Sequence, residues 1–428
     1  MISHTPQKIR ELYSKVNGGL IIIIILSFIV GWQLGHRDYN FQIKNYKPQF
    51  KVTNQSPASS TTDIDFKLFW ETWDLVSQKY IDKTAIDPQK LYYGAIQGMV
   101  AALGDPYTVF LPPQAQKSTK EQLSGSFEGV GIQLGYNKEK RLVVIAPLKD
   151  TPADRAGVKA GDLIVKINDK EAFSLSLPEA VSQIRGPKGS TVNLSVLREN
   201  ESKPKDITLT RDTIVVKSVE FENKNTDLSQ KPDSPTVTKT TKSGKEVAYI
   251  RLSQFGERTR NEWDLAVSEG LSHAPQGVIV DVRNNPGGFL DGAVYIASEF
   301  LDRGVIVIQE DALGNKESQQ VIREGKLLKL PVVILINKGS ASASEILAGA
   351  IQDRKRGTLV GEQSFGKGTI QSSEDLPEGT GIHITTAKWL TPDGRWIHNK
   401  GLTPDVIVEN TEDGKDIQLE KALEVLDK

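Results

Sequence analysis

The 428-residue chain, 38% hydrophobic and 25% charged, is long enough for two or three globular cores and too apolar for wholesale disorder. A formal net charge of -1 supplies no basic field, so nucleic acid drops out as a partner. The absence of cysteine removes disulfides, thiolate nucleophiles and cysteine-ligated metals, and the five histidines (His4, His36, His273, His383, His398) form neither an HExxH nor a tight cluster, so no metal or other cofactor is expected.

Residues 18–34 are the one strongly apolar run, at the lower limit of the roughly 17–25 residues a membrane helix needs. The run ends in Trp32-Gln33-Leu34-Gly35-His36-Arg37 and not in a small-residue cleavage site, which favours an uncleaved single-pass anchor. Lys8, Arg10 and Lys15 precede it and Arg37, Lys44, Lys47 and Lys51 follow, so charge orients it weakly. The N-terminal position assigns residues 1–17 to a short cytoplasmic head and the bulk of the chain to the far side of the cell membrane, in a periplasm or at the cell exterior. Residues 35–62 read as a linker, ending in the polar tether Ser56-Pro57-Ala58-Ser59-Ser60-Thr61-Thr62.

In the segment 63–123, Phe66, Phe69, Trp70, Trp73 and Val76, and then Leu91, Ala95, Met99, Val100 and Leu103, recur at helical spacing. Two helices packed together are expected, with the aromatic stripe as core. Residues 124–215 switch to short strands, predicted at 130–134, 142–145, 163–167 and 192–196, around one helix at 177–184. That helix opens with Ser176 and Glu179 at capping-box spacing and carries Leu177, Val181 and Ile184 on one face. Residues 216–246 read as a linker or surface loop. Strands at 247–252, 277–283, 304–309, 331–337 and 358–361 alternate with helices at 258–271, 290–301 and 343–355, which predicts an α/β core over 247–410 followed by a C-terminal segment, 411–428.

Three loops of this core stand out. Ser340, Ser342 and Ser344 lie where a buried strand turns into a helix, and a helix N-terminus offers free N–H groups and a positive dipole end to a developing oxyanion. On position alone the reading of these serines as helix caps wins over a catalytic one. The paired glycines of Asn284-Asn285-Pro286-Gly287-Gly288 allow close backbone approach to a ligand, as ordinary tight turns also do. Lys367 stands between Gly366 and Gly368, and unaided it would be read as a solvated side chain.

Together, Asp281-Val-Arg-Asn-Asn-Pro-Gly-Gly288, Lys338-Gly-Ser-Ala-Ser-Ala-Ser-Glu345 and Gly361-Glu-Gln-Ser-Phe-Gly-Lys-Gly-Thr-Ile-Gln371 resemble the core motifs of the carboxyl-terminal processing (tail-specific) proteases. The resemblance spans about residues 65–410, including the final Lys388-Trp-Leu-Thr-Pro-Asp-Gly-Arg395 stretch. It implies an α+β multidomain chain: a membrane helix, a helical segment, a small mainly β PDZ domain over 124–215 and a crotonase-like α/β serine peptidase core. It further implies Ser342 as nucleophile, Lys367 as general base, Asp353 and Gln371 as supports of that lysine, and the N–H groups of Gly288 and Ala343 as oxyanion hole. Asp353, beside Arg354, is equally readable as a solvated helix residue. A base must be neutral near pH 7, whereas a free lysine has a pKa of about 10.4; the difference is roughly 4 kcal/mol, which desolvation can supply.

By the same resemblance Gly129-Val130-Gly131-Ile132 is a PDZ carboxylate loop, and Leu177, Val181 and Ile184 complete a groove for apolar C-terminal tails of protein or peptide substrates. Those three side chains are also readable as plain core. Arg185 is implied as a link between the PDZ domain and the active site. An activator or adaptor protein and a homo-oligomer stay open as partners. Three rivals are weighed: a non-catalytic, membrane-tethered PDZ scaffold; an S-x-x-K enzyme built on Ser364 and Lys367, which lacks the accompanying Ser-Asp-Asn and Lys-Thr-Gly; and a Ser-His-Asp triad, for which G-x-S-x-G is missing.

Overall fold

The computed structural model describes residues 39–44, 47–52, 65–198, 201–220, 238–409 and 415–428. The expected anchor at 18–34, the head before it and the Ser56–Thr62 tether lie outside them. Among the described residues no helix is long and apolar enough to cross a membrane.

The chain forms two compact units, one ending at Asp87 and the other running from Pro88 to Lys428. In the first, strands Tyr39–Lys44 and Lys47–Val52 pair antiparallel with Tyr39 opposite Val52, where a linker was expected. The alternation of Tyr39, Phe41 and Ile43 with polar residues is the strand signal that a reading for net polarity passes over. Helix Lys67–Lys79 forms as its periodicity predicts, yet none of its residues is buried, and Phe66, Leu68 and Trp70 are exposed. The aromatic stripe is therefore not core. Its rings meet one another instead, Phe69 standing edge-on to Trp70 at 5.0 Å. The second expected helix, Pro88–Ala101, belongs to the other unit.

In the second unit, helix Pro113–Ser124 starts on two prolines and ends at Gly125 in a left-handed turn, φ 66°. The β module follows, its sheet ordered Lys205–Thr210, Thr191–Leu197, Leu163–Ile167, Leu142–Pro147, Ile132–Tyr136. Ile132–Tyr136 is thus an edge strand, lying beside helix Leu177–Ile184. The capping contact read from the sequence is present, Ser176 N–H donating to Glu179 Oε2 at 2.8 Å. A ribbon of Ser126–Gly129 paired with Asp212–Val215 closes the module.

The core sheet runs Val219–Glu220, Glu246–Leu252, Val278–Asp281, Val332–Ile336, Thr358–Gly361, Val406–Ile407, with the first pairing antiparallel and the other four parallel. Thr238–Thr240 pairs with Glu246–Leu252, so the expected linker 216–246 carries two edge strands. Both faces of this sheet are covered, which explains why Val332–Ile336 is apolar throughout and wholly buried. Val280, Ile334 and Ile336 pack with Trp263, Ile296 and Leu347 on one face. On the other face Ile279, Val333 and Leu335 pack with Ala422 and Leu426 of helix Ile417–Asp427, which makes the C-terminal segment part of the core.

A second, antiparallel sheet of Lys316–Gln320, Val305–Asp311, Gly381–Leu390 and Thr369–Asp375, with Val109–Leu111 added on Gly381–Leu390, was not anticipated. It stands against the end of the parallel sheet where the three sequence loops lie.

Candidate active site

Ser342 is the first residue of a strained strand-to-helix corner. It has φ 55° and ψ -115° and caps helix Ala343–Asp353, a conformation costing about 1–3 kcal/mol for a residue with a Cβ. The two neighbouring serines hold the corner in place. Ser340 Oγ donates to Val282 O at 2.8 Å and accepts from Asn337 N–H at 2.9 Å, while Ser344 Oγ donates to Asn285 O at 3.0 Å. Both are fully buried, whereas Ser342 keeps solvent access.

The glycine loop is stitched to this corner. Asn284 N–H donates to Asn337 Oδ1 at 2.8 Å, Asn337 Nδ2 donates back to Asn284 Oδ1 at 2.9 Å, and Ala341 N–H donates to Asn285 O at 3.0 Å. Gly287 has φ 100°, and a Cβ there would lie 2.8 Å from the Ser342 Cβ; Gly288 has φ 138°, and a Cβ there would lie 2.1 Å from Phe255 O. No larger residue fits either position. Among the described residues the N–H groups of Gly288 and Ala343 donate to no protein acceptor, so both remain available beside Ser342.

The lysine loop is fixed from two sides. Glu345, fully buried one turn into the nucleophile helix, accepts from Ser342 N–H (2.9 Å), Lys367 N–H (2.9 Å), Gly366 N–H (2.7 Å) and the Ser364 hydroxyl (2.5 Å). On the other side Trp389 Nε1 donates to Lys367 O at 2.8 Å and Trp396 Nε1 to Gly368 O at 2.9 Å. The flanking glycines are needed for these approaches, since a Cβ on Gly368 would meet His398 N at 2.8 Å. Glu345 was not singled out from the sequence, although Ser342-x-x-Glu345 has the same capping-box spacing as Ser176-x-x-Glu179. Burial raises its pKa, opposed by the bonds from Ser364, Lys367, Gly366 and Ser342.

Burial lowers the pKa of Lys367, against the raising pull of the Asp105 and Glu345 carboxylates. Its Nζ lies 4.9 Å from the ring centroid of Tyr107. Ser342, Lys367, Gly288, Gln371 and His383 line one cavity of about 320 Å3. Gln371 is brought to the cleft, its Nε2 donating to Thr369 Oγ1 at 3.0 Å and Thr385 Oγ1 at 3.1 Å.

Asp353 is not. It ends the helix that begins at Ala343, ten residues or about 15 Å along the axis, and its carboxylate is ion-paired with Arg395 and accepts from Asp393 N–H at 2.9 Å. The Asp353 carboxylate, 3% exposed, thus ties the helix end to the loop at 393–395 and is not among the residues lining the cleft. Ser364 is equally unsuited to attack: its buried hydroxyl donates to Glu345 and accepts from Leu402 N–H at 2.6 Å, in a loop and not a helix. Among the described residues His383 is the one histidine that lines the cleft. Burial and then the charge of Lys367 lower its pKa.

Residues 246–408 match the family model of peptidase family S41, residues 143–198 a PDZ domain model, and residues 30–115 the model of the activating protease CtpB N-terminal domain. The carboxy-terminal processing protease CtpA of Bacillus subtilis is 36% identical, the match covering 82% of this chain and 71% of that protein. A carboxyl-terminal-processing protease of Synechocystis is also 36% identical, over 87% of this chain and 89% of its own. The chain belongs to the carboxy-terminal processing proteases of peptidase family S41. A crystal structure assigned to the S41 proteases, from Bacteroides fragilis, shares the fold with a TM-score of 0.52 at 14% identity, over 83% of this chain and 96% of its own.

In the PDZ domain of this family member, Gly131 has φ 77° and faces Thr151, whose Cβ would lie 2.4 Å from an added Cβ. The loop is oriented by Ala153 N–H on Val130 O (2.9 Å) and Leu148 N–H on Gly131 O (2.8 Å), and it joins Gly129 to edge strand Ile132–Tyr136. The three groove positions divide. Ile184 is buried in the domain core, Leu177 is half-buried with its N–H donating to Tyr136 Oη at 2.8 Å, and Val181 faces a second cavity of about 480 Å3 with Phe127 and Arg185. Arg185 pairs with Glu121 at 2.7 Å and stacks 4.4 Å above Phe127. Glu121 belongs to helix Pro113–Ser124, whose Thr119, Gln122 and Leu123 line the Ser342 cleft.

Proposed function

We propose that this S41 protease is a membrane-anchored serine endopeptidase that cuts proteins near their C-termini with a Ser342–Lys367 dyad. What carries the reading is one cavity lined by the strained, solvent-accessible Ser342, the desolvated Lys367 and Gly288, with the uncommitted N–H of Ala343 at the helix N-terminus next to Ser342. Neutral Lys367 takes the Ser342 hydroxyl proton as Oγ attacks the scissile carbonyl. The resulting oxyanion is held by Gly288 and Ala343 N–H, and the lysine ammonium returns the proton to the leaving amine. Gln371, which lines the same cavity, orients the lysine from the cleft wall.

Substrate tails dock by strand addition on Ile132–Tyr136, with the terminal carboxylate at Gly129–Ile132 and apolar side chains against Leu177 and Val181. Arg185 and Glu121 link that event to the cleft. The anchor is the run 18–34, with the catalytic part outside the cytoplasm; a reporter active only after export, fused behind residue 62, tests the orientation, and a reporter left inactive there rejects it.

The deciding experiment is cleavage of an unfolded protein with an apolar C-terminal tail by the full chain and by its Ser342→Ala and Lys367→Ala variants. Loss of cleavage in both folded variants is expected. Persisting cleavage in either means the dyad is misassigned, and an inert parent chain favours a binding scaffold.

A further inference from the structure

A segment outside the peptidase core reaches the lysine. Strand Val109–Leu111 adds to the antiparallel sheet by pairing with Gly381–His383, and this delivers the preceding residues 105–108 to the back of Lys367. Tyr107 arrives with its ring 4.9 Å from the lysine Nζ, inside the range of a cation–π contact.

The ring is held there by several independent contacts. Tyr107 N–H donates to Asp105 Oδ1 at 3.1 Å and the Thr108 hydroxyl to Asp105 Oδ2 at 2.6 Å; the Thr108 oxygen accepts from Thr385 N–H at 3.0 Å. His398 stands edge-on to Tyr107 at 6.1 Å and is itself stacked on Trp396 at 5.3 Å. The titratable groups that face Lys367 are Asp105 and Tyr107 from this segment, Glu345 from the nucleophile helix and His383 from the antiparallel sheet. Glu345 is committed to four donors, and burial and then the charge of Lys367 lower the pKa of His383. The Tyr107 ring presents an aromatic face within cation–π distance of the Lys367 Nζ, at 4.9 Å from its centroid.

We propose that the face of Tyr107 stabilises the ammonium form of Lys367 at the moment the lysine has taken the Ser342 proton, so that residues 105–108 complete the proton-acceptor site. The inference rests on the reading of Lys367 as general base. In that step the Ser342 O–H bond breaks as Oγ bonds to the substrate carbonyl carbon, and the proton joins the Nζ lone pair. The ammonium later gives this proton to the amine nitrogen as the C–N bond breaks, leaving lysine neutral again. A ring quadrupole attracts the cation and not the neutral amine, so Tyr107 acts on the charged half of the cycle and does for lysine what a buried carboxylate does for histidine in a triad.

The test is the pH profile of kcat and kcat/KM for full-chain variants on one peptide substrate. Tyr107→Leu removes the ring: kcat falls about threefold to tenfold, and the acid limb moves to lower pH, because a less stabilised ammonium gives up its proton more easily. Tyr107→Phe keeps the ring and the position of the limb. If Tyr107→Leu fails to fold, pentafluorophenylalanine at 107 keeps the shape, reverses the quadrupole and gives the same downward shift of the limb. An unmoved limb in the leucine or pentafluoro protein, or a limb displaced equally in Tyr107→Phe, overturns the inference. Lys367→Ala separates the two levels. An inactive Lys367→Ala with an unmoved Tyr107 limb removes the tyrosine's role alone, whereas an active Lys367→Ala removes the base assignment and this inference with it.

Discussion

Glu345→Gln is the substitution that most directly tests how the site is held together. The buried carboxylate receives Ser364 Oγ and Gly366 N–H on Oε1, and Ser342 and Lys367 N–H on Oε2. Glutamine matches the volume but replaces one acceptor oxygen by a donor. If the amide nitrogen turns toward Oε1's position, the Ser364 hydroxyl can rotate to accept and Gly366 N–H is orphaned. If it turns the other way, Ser342 and Lys367 N–H are both orphaned. Each buried donor without a partner costs about 1–3 kcal/mol, so the better orientation loses about that much. In a core of this size this lowers Tm by roughly 2–4 °C per kcal/mol. The orphaned group belongs to the lysine loop, so kcat should fall about tenfold or more as the dyad loosens. Glu345→Ala orphans all four donors at roughly 4–12 kcal/mol, comparable to the whole stability of a domain, and should not yield folded protein. Thermal unfolding and single-substrate kinetics of the glutamine variant are the assay. A variant that melts within a degree of the parent and cleaves within twofold of it would refute the claim that Glu345 joins nucleophile and base.

Other expectations follow from the same geometry. With Lys367 as the proposed base, kcat/KM should rise with pH through the lysine's lowered pKa, and Lys367→Arg, which cannot deprotonate, should be inactive at every pH tested; a flat profile would deny the lysine its role. Leu177→Asp should depress cleavage of substrates with apolar tails while leaving short peptides that carry no tail unaffected, as a comparison of kcat/KM for the two would reveal. Arg185→Ala removes a half-buried ion pair and a cation–π contact, about 1–2 kcal/mol together, and should narrow the difference in rate between substrates with and without the tail; an unchanged ratio rules out the link. His383→Ala should keep Ser342 phosphonylation by an active-site-directed phosphonate, and complete loss of labelling in a folded variant would restore the histidine triad.

What could be read beforehand depended on whether the signal was local. Helix Leu177–Ile184 and strand Leu163–Ile167 have the bounds expected from periodicity, because a capping box and a β-branched run are complete within a few residues. The antiparallel sheet escaped because Thr369–Asp375 is half-buried, with a polar sequence that resembles a loop until its partner Gly381–Leu390 is in place. Helix Lys67–Lys79 failed in the opposite sense. Its amphipathic spacing was legible, but spacing cannot say whether the apolar face is covered, and none of its residues is buried. Asp353 was assigned beside the dyad lysine by resemblance, and its ion pair with Arg395, 42 residues on, was not legible in the sequence.

The residues that make the cleft work as a unit were invisible for a single reason: each acts on a partner far away in the chain. Glu345 reaches Lys367 over 22 residues, and Thr108 reaches Thr385 over 277. Helix Pro113–Ser124 illustrates the consequence. Its composition, rich in glutamine, serine and lysine, reads as a solvated surface helix. In the fold it has Thr119, Gln122 and Leu123 on the Ser342 cleft, Glu121 on Arg185 of the PDZ domain, and Leu123 O accepting from Glu257 N–H of the core at 2.9 Å. On the proposed reading, a displacement of the PDZ domain that strained the Arg185–Glu121 pair would be carried by a stiff 12-residue helix to residues that line the cleft. The amphipathic pattern was weak because both faces of the helix are functional contacts, one polar and one mixed, and neither is an apolar stripe.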